Sequence, residues 1–249
     1  MNTGIILQAR LGSTRYSNKI LKEIYNGKTI LDLVIDRLLI ALPDTQLVVA
    51  TTNNFKDNSI CDFLKNKKIN YFRGSENNVL LRFINTAKEY GFSNILRVCS
   101  DNPFIDIPGL ITLKNTFEFS RVDYCSFLIN NNLPSIKSHL GFWAEAVKLS
   151  ALQKIINLTD NPKYLEHVTN YIYENKNDFK IKYIDAPNEL IYDYIRLTVD
   201  TKNDFNVIKL ILEKMHNNDL LNSIEILELI KQNKNILELM KNEIKRNQK

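Results

Sequence analysis

A chain of 249 residues with 44% hydrophobic content can bury a sizeable core, as one large α/β domain or two small ones. Its 33 basic and 28 acidic residues leave a formal charge of +5, spread along the chain except for a basic run at the extreme C-terminus; this argues against a dedicated nucleic-acid binder and suits an anionic small substrate. No apolar run approaches the ~18 residues a spanning helix requires, and a strand-like segment follows Met1 in place of a basic and apolar leader, so a cytoplasmic protein without membrane association is expected.

In chain order, short apolar runs alternate with amphipathic stretches. Residues 4–9 read as a strand and 30–41 as a helix; 46–52 as a strand and 58–66 as a helix; 70–73 as a strand and 78–90 as a helix. A strand at 94–100, a helix at 108–119 and a strand at 123–128 continue the rhythm. Strands this apolar, separated by helices, predict a mostly parallel sheet covered by helices, with ligands at the carboxyl ends of the strands. The rhythm changes over 130–193, where a loop, helices at 147–156 and 164–173 and a strand at 180–184 read as a substrate-side elaboration. A β-run at 194–199 ends in Asp200, and a helix follows over 204–216. In the tail, Ile224, Leu227, Ile230, Ile236, Leu237, Met240 and Ile244 recur near the helical period, predicting one or two appended helices that pack on the body or on a second subunit. The odd, scattered cysteines Cys61, Cys99 and Cys125 read as free thiols in a reducing compartment.

The densest chemical signal runs from Gln8 to Lys19. A strand feeds a loop with Gly12, Ser13 and the cations Arg10, Arg15 and Lys19, and backbone amides freed at Gly12 and Ser13 can donate to phosphate oxygens while the cations neutralise them. It is neither the Walker loop nor the dinucleotide-binding glycine turn, and on spacing alone a solvated basic loop explains it equally well. Asp101 and Asp200 each follow an apolar run; taken alone, an Asp in that position is more often a helix N-cap.

The segment Gln8-Ala9-Arg10 through Lys19 resembles the opening Q-A-R-x-G-S-x-R-L-P-x-K of the spore-coat polysaccharide type of cytidylyltransferases, with Tyr16-Ser17 in place of Leu-Pro. These are relatives of the synthetases that make CMP-linked sialic-type acids and CMP-Kdo. Further matches, in the family's order, are Val49-Ala50-Thr51-Thr52, Phe72-Arg73-Gly74-Ser75-Glu76, Ser100-Asp101-Asn102-Pro103, Glu166-His167-Val168-Thr169 and Leu197-Thr198-Val199-Asp200-Thr201. The resemblance covers most of residues 4–212. It implies a Rossmann-like nucleotide-diphospho-sugar transferase fold of the glycosyltransferase-A type over residues 1–217, with a helical appendage at 218–249.

The activity implied is transfer of CMP from CTP to an acidic sugar, nonulosonic or Kdo-like, with release of pyrophosphate, in surface glycan biosynthesis. Arg10, Arg15 and Lys19 would hold the triphosphate, and Mg²⁺ on Asp101 and Asp200 would offset charge on the leaving group. Gly12, Ser13 and Ser100 would join them in binding the nucleotide. Arg73 and the backbone around Leu7 and Ala9 would hold base and ribose. Acceptor contacts are expected from Asn102, Lys137, His139, Trp143, Glu145, Glu166 and His167, although Glu166 and His167 serve equally well as scaffold at the start of a helix. Where many members carry G-x-D-x-E, this chain has Gly141-Phe142-Trp143-Ala144-Glu145, which implies an altered acceptor pocket. The resemblance also implies a homodimer. Three alternatives stand beside this reading: a transferase for a sugar or polyol phosphate, a non-catalytic homologue, and a glycosyltransferase, the last disfavoured by Asp101-Asn102-Pro103 in place of D-x-D.

Overall fold

The computed structural model describes residues 2–13, 15–215 and 221–247, with every side chain among them except that of Asn131. In chain order the elements are β1 (Thr3–Gln8), a small hairpin of β2 (Glu23–Tyr25) and β3 (Lys28–Thr29), α1 (Ile30–Ala41), β4 (Leu47–Thr52), α2 (Asn58–Asn66), β5 (Asn70–Gly74), α3 (Val79–Glu89), β6 (Asn94–Cys99), α4 (Ile107–Ser120) and β7 (Tyr124–Ile129). There follow β8 (Leu133–Pro134), β9 (Glu145–Lys148), α5 (Leu149–Leu158), α6 (Pro162–Glu166), α7 (Asn170–Glu174), β10 (Ile181–Asp185), α8 (Lys202–Lys214), α9 (Ser223–Lys231) and α10 (Lys234–Arg246).

The main sheet runs β10-β7-β9-β6-β1-β4-β5, with β8 added on β7. Strand β1 lies parallel to both β4 and β6, and β4 to β5; β9 is inserted antiparallel between β6 and β7. Because the chain passes from β1 outward to β4 and β5 and then crosses back to β6 on the other side, the order reverses beside β1. The loops leaving β1 and β6 therefore open a crevice at the switch point.

Alternation along the strands divides the core between two sheet faces. Ile5 and Leu7 join α1, α4 and α8 in one cluster, and Ile6 joins α3 and α5 in the other. Each such fully buried side chain contributes roughly 1.5–3 kcal/mol of transfer free energy. Gly4 is required where β1 passes Phe92, since a Cβ there would lie 2.3 Å from the ring. Helix starts are signalled locally: Thr29 and Asp32 form a capping box on α1, Thr201 and Asp204 on α8, and Asn222 and Glu225 on α9.

The tail forms two helices that pack on this chain's own body. Ile226, Leu227, Ile230, Ile236 and Met240 enter the main cluster, Ile224 stays exposed, and Ser223 Oγ donates to Asp106 Oδ1 at 2.6 Å at the start of α4. The predicted end of the preceding helix at residue 216 and the boundary at 217/218 lie outside the described residues.

Three predicted elements differ. The helix over 147–156 begins at Leu149, because Glu145–Lys148 is recruited as β9, with Ala146 facing one cluster and Val147 the other. The helix over 164–173 is two short helices broken at 167–169. The run 194–199 is extended but is no strand of the sheet: Leu197 N and Thr198 N donate to His139 O, and Val199 N to Asp101 O. Asp200 thus ends a segment stitched to the loops around it.

Candidate functional site

The loop after β1 is held at both ends. Asp57, only 2% exposed, accepts from Leu11 N at 2.8 Å and from the Thr52 hydroxyl. At the far end Asn18 takes a left-handed backbone conformation, φ 58°, and its amide donates to Leu11 O. The Ser13 amide donates to Leu11 O at 2.8 Å, so the N–H expected for phosphate is spent within the turn. Gly12, Ser13, Arg10, Arg15 and Lys19 nevertheless line one cleft of about 430 Å³, together with Gln8, Ser100, Asp101, Glu166, His167 and Asp200.

The two aspartates meet in that cleft. Neither is a helix cap: Asp106 caps α4 and Thr201 caps α8. Burial pushes the Asp101 carboxyl above the usual carboxylate range and neighbouring Asp200 adds to this, while Lys19 opposes. Among the described residues no side chain donates to it. Asp200 is gripped from several sides, by Arg15 Nη2 on Oδ1 at 2.6 Å and Arg196 Nη2 on Oδ2 at 2.9 Å, with Lys19 Nζ 3.9 Å from Oδ1. Lys19 also donates to Val199 O. Buried Arg196 is itself clamped by Asp204 at 2.7 and 3.0 Å. Burial alone would raise the Asp204 carboxyl, but Arg196 and the Thr201 and Asp200 amides hold it below the usual range.

Where acceptor contacts were expected, two further cavities of about 630 and 550 Å³ adjoin the first. Asn102, Lys137, His139 and Trp143 line the larger. Arg196 Nη1 donates to His139 Nδ1 at 2.6 Å, which places the ring proton on Nε2; burial and then the Arg196 charge keep the imidazole pKa below its ordinary value. Lys137 Nζ rests 4.7 Å above the Tyr173 ring. Gly141, at φ 69°, bends the chain where a Cβ would come within 3.2 Å of Asn102 Oδ1.

Several expected contacts are replaced by structural ones. Arg73 spends its guanidinium on Thr52 O, Asn54 O and Asn58 Oδ1, all at 2.8–2.9 Å, and lines none of these cavities; it braces the loop that carries Asp57. The side chains of Leu7 and Ala9 are buried, and Gln8 and Arg10 beside them line the cleft. Glu145 is fully buried and ion-paired with Arg97, so it cannot reach an acceptor. Trp143 is 4% exposed, with Phe127 stacked at 5.6 Å and Phe142 edge-on at 5.7 Å; only a sliver of its surface meets the cavity. Glu166 ends α6 rather than beginning a helix, and its carboxylate meets Arg10 at 3.2 Å. His167 follows as C-cap and lines all three cavities.

Arg97, which lines the cleft, and Arg196 and Asp204, which brace Asp200, were not singled out from the sequence. A charged residue inside Ile95-Leu96-Arg97-Val98-Cys99 was the available signal for the first. The cysteines are unpaired, and burial pushes Cys99 up to about 11 and Cys125 up to about 12, so neither is an activated thiol.

A doubly wound sheet with a cation-bearing loop and paired carboxylates over its switch point defines a nucleotidyltransferase of Rossmann-like fold, and the comparisons agree. The chain belongs to the cytidylyltransferase family, whose model matches residues 4–244. It is 37% identical over 228 residues to the uncharacterized protein MJ1063 of Methanocaldococcus jannaschii, covering 90% of this chain and 87% of that one. It is 29% identical over 233 residues to the spore coat polysaccharide biosynthesis protein SpsF of Bacillus subtilis, covering 92% and 93%. Among solved structures, a cytidylyltransferase from Leptospira borgpetersenii superposes with a TM-score of 0.85 at 29% identity, covering 100% of this chain and 98% of that one. A CMP:2-keto-3-deoxy-manno-octonic acid synthetase complexed with CTP shares the fold, with a TM-score of 0.63 at 15% identity over 86% of this chain and 99% of that one. No helix among the described residues is long and apolar enough to cross a membrane.

Proposed function

We propose that this cytidylyltransferase moves CMP from CTP to an acidic sugar, nonulosonic or Kdo-like, releasing pyrophosphate in surface glycan biosynthesis. The observation that carries the reading is the meeting of Asp101 and Asp200 with Arg15 and Lys19 in one cleft, beside a second cavity large enough for an acceptor. The octonic acid synthetase supplies the acidic acceptor class by analogy, and the name of SpsF the setting in surface polysaccharide biosynthesis.

Mg²⁺ is the metal this reading requires. No group of three or more His, Cys, Asp or Glu among the described residues is arranged to hold a metal ion, but two hard carboxylates facing a phosphate cleft suit Mg²⁺, which keeps waters and phosphate oxygens as its other ligands. Asp101 and Asp200 would hold it; when bound it supplies Lewis-acid charge neutralisation on the phosphates. Arg10, Arg15 and Lys19 draw the triphosphate into the cleft and stabilise charge developing on pyrophosphate. The Arg196–Asp204 clamp keeps Asp200 pointed into the cleft. His139, protonated on Nε2 and neutral, acts as a hydrogen-bond donor on the acceptor side.

The test is a thermal-shift series with Mg²⁺ and each nucleoside triphosphate, followed by pyrophosphate release over a panel of sugar acids and sugar phosphates. CTP is expected to stabilise most, and a sugar acid to turn over fastest. Equal stabilisation by UTP or GTP removes the cytosine assignment. We further propose a cytoplasmic homodimer on the strength of the family resemblance, the tail's apolar face being already buried on its own chain. Light scattering should return about twice the 29.0 kDa chain mass.

A further inference from the structure

Arg97 stands in the middle of β6, between Leu96 and Val98, and is only 8% exposed. A guanidinium does not shed its charge on burial, so the fold has to neutralise it. Glu145, its register partner on β9, takes the Nη1 hydrogen bond and is fixed in turn by the Tyr124 hydroxyl and by Thr169 Oγ1 at 2.9 and 3.1 Å. The charge is thereby paired, but most of the donor fork is not. Nε is buried without a partner, and among the described residues Nη2 makes no hydrogen bond.

Other buried arginines show the contrast. Arg196 spends all three nitrogens within the protein, and Arg37 gives Nε to Ile105 O and Nη2 to Leu221 O. Arg82 shares the deficit of partners but lines none of the three cavities, so unspent donors alone do not make a site. Arg97 lines all three, at the junction where the nucleotide cleft meets the acceptor side. A rigid guanidinium whose Nη1 is spent and whose Nε is buried leaves the Nη2 end, with its two N–H groups, to face the cavity, and that end is pre-organised for the oxygens of an anion.

We propose that Arg97 is the receptor for the anionic group of the acceptor, with Lys137 on the wall of the two acceptor-side cavities as a second positive charge. The proposal rests on the reading that the acceptor is an anionic sugar. Its chemistry is shared by a carboxylate and a phosphate, each offering oxygens to the Nη2 end. It does not serve the CTP phosphates, which have Arg10, Arg15 and Lys19 on the loop after β1.

The experiment compares wild type, Arg97→Lys and Arg97→Met/Glu145→Gln. The lysine keeps the charge beside Glu145 and loses the fork; the double variant removes both charges and keeps an amide oxygen for Tyr124 and Thr169. Circular dichroism and urea melts establish that each folds. Calorimetry with Mg²⁺ and a non-hydrolysable CTP analogue then measures binding of 3-deoxy-manno-octulosonic acid, its carboxamide and glucose 1-phosphate.

Wild type is expected to bind an anionic probe and to prefer the acid to its carboxamide. Both variants should weaken that probe about 10- to 100-fold and lose the preference, with the Kd for the CTP analogue within about twofold of wild type. Preference for the sugar phosphate, lost by the same factor in the variants, supports Arg97 as receptor and removes the sugar-acid reading of function. Failure of wild type to bind any anionic probe, undiminished binding in folded variants, or a parallel loss of CTP-analogue affinity would overturn the assignment.

Discussion

Nη2 of Arg15 lies 2.6 Å from Oδ1 of Asp200, joining a cation of the first loop to a carboxylate 185 residues later. The pair closes the cleft from above the switch point, yet the Arg15 side chain is 54% exposed, and ion pairs of that kind contribute about 0–1 kcal/mol. Arg15 is therefore free to exchange Asp200 for triphosphate oxygens. Arg15→Ala should leave the urea midpoint nearly unchanged and lower kcat/KM by on the order of 100-fold. A large stability loss in chemical denaturation would recast Arg15 as a structural strut.

Asp101 gives a pH-dependent prediction of opposite sign for stability and activity. Its carboxyl pKa is raised in the folded state by burial and by Asp200, so the ionised form at neutral pH works against folding, and this cost vanishes once the pH falls below the unfolded value. In Mg²⁺-free buffer Asp101→Asn should raise Tm at pH 7, with the gain shrinking to nothing under acid conditions, while turnover collapses. Melting curves across pH 3.5–7.5 check this; a lower Tm for the variant at neutral pH would contradict it.

The Arg97–Glu145 pair predicts strong coupling. Glu145→Ala leaves a buried guanidinium unpaired and should cost about 3–5 kcal/mol, whereas Arg97→Met/Glu145→Gln should cost far less than the sum of its single changes. A urea double-mutant cycle measures the difference, and simple additivity would show that the two charges do not depend on each other.

Asp57 lies outside the cleft and positions its loop by accepting from Leu11 N and Thr52. Asp57→Ala orphans the buried Leu11 amide and should cost about 1–3 kcal/mol. The KM for CTP should rise several-fold with kcat less affected, because the loop cations lose their seat. Steady-state kinetics in which only kcat fell would place Asp57 in the chemistry instead.

Much of this architecture is written locally. The nine elements predicted over residues 4–128 were legible to within a residue or two, because apolar periodicity, Thr29-x-x-Asp32 and the Asn-rich turns act over a few positions; the small β2–β3 hairpin between the first two was not. The loop cations and the two aspartates were legible as residue types beside apolar runs, and the family resemblance gave them roles. The segment 145–148 was not: its pattern suits a helix until the gap between β6 and β7 claims it as a strand.

Side-chain partners separate what the sequence determined from what the tertiary structure decided. By itself the sequence determined the alternating strands and helices of residues 3–129, the family and the cations available for phosphate, all of which follow from short-range pattern. Only the tertiary structure decided that Arg73 braces a loop, that Glu145 neutralises Arg97 and that Asp200 is clamped by Arg196, because each depends on which distant group lies within about 3 Å. Burial then converts those encounters into consequence: Asp101, which in the sequence reads as readily as a helix cap, has its carboxyl pushed above the usual range when the fold strips its water and sets a second carboxylate beside it.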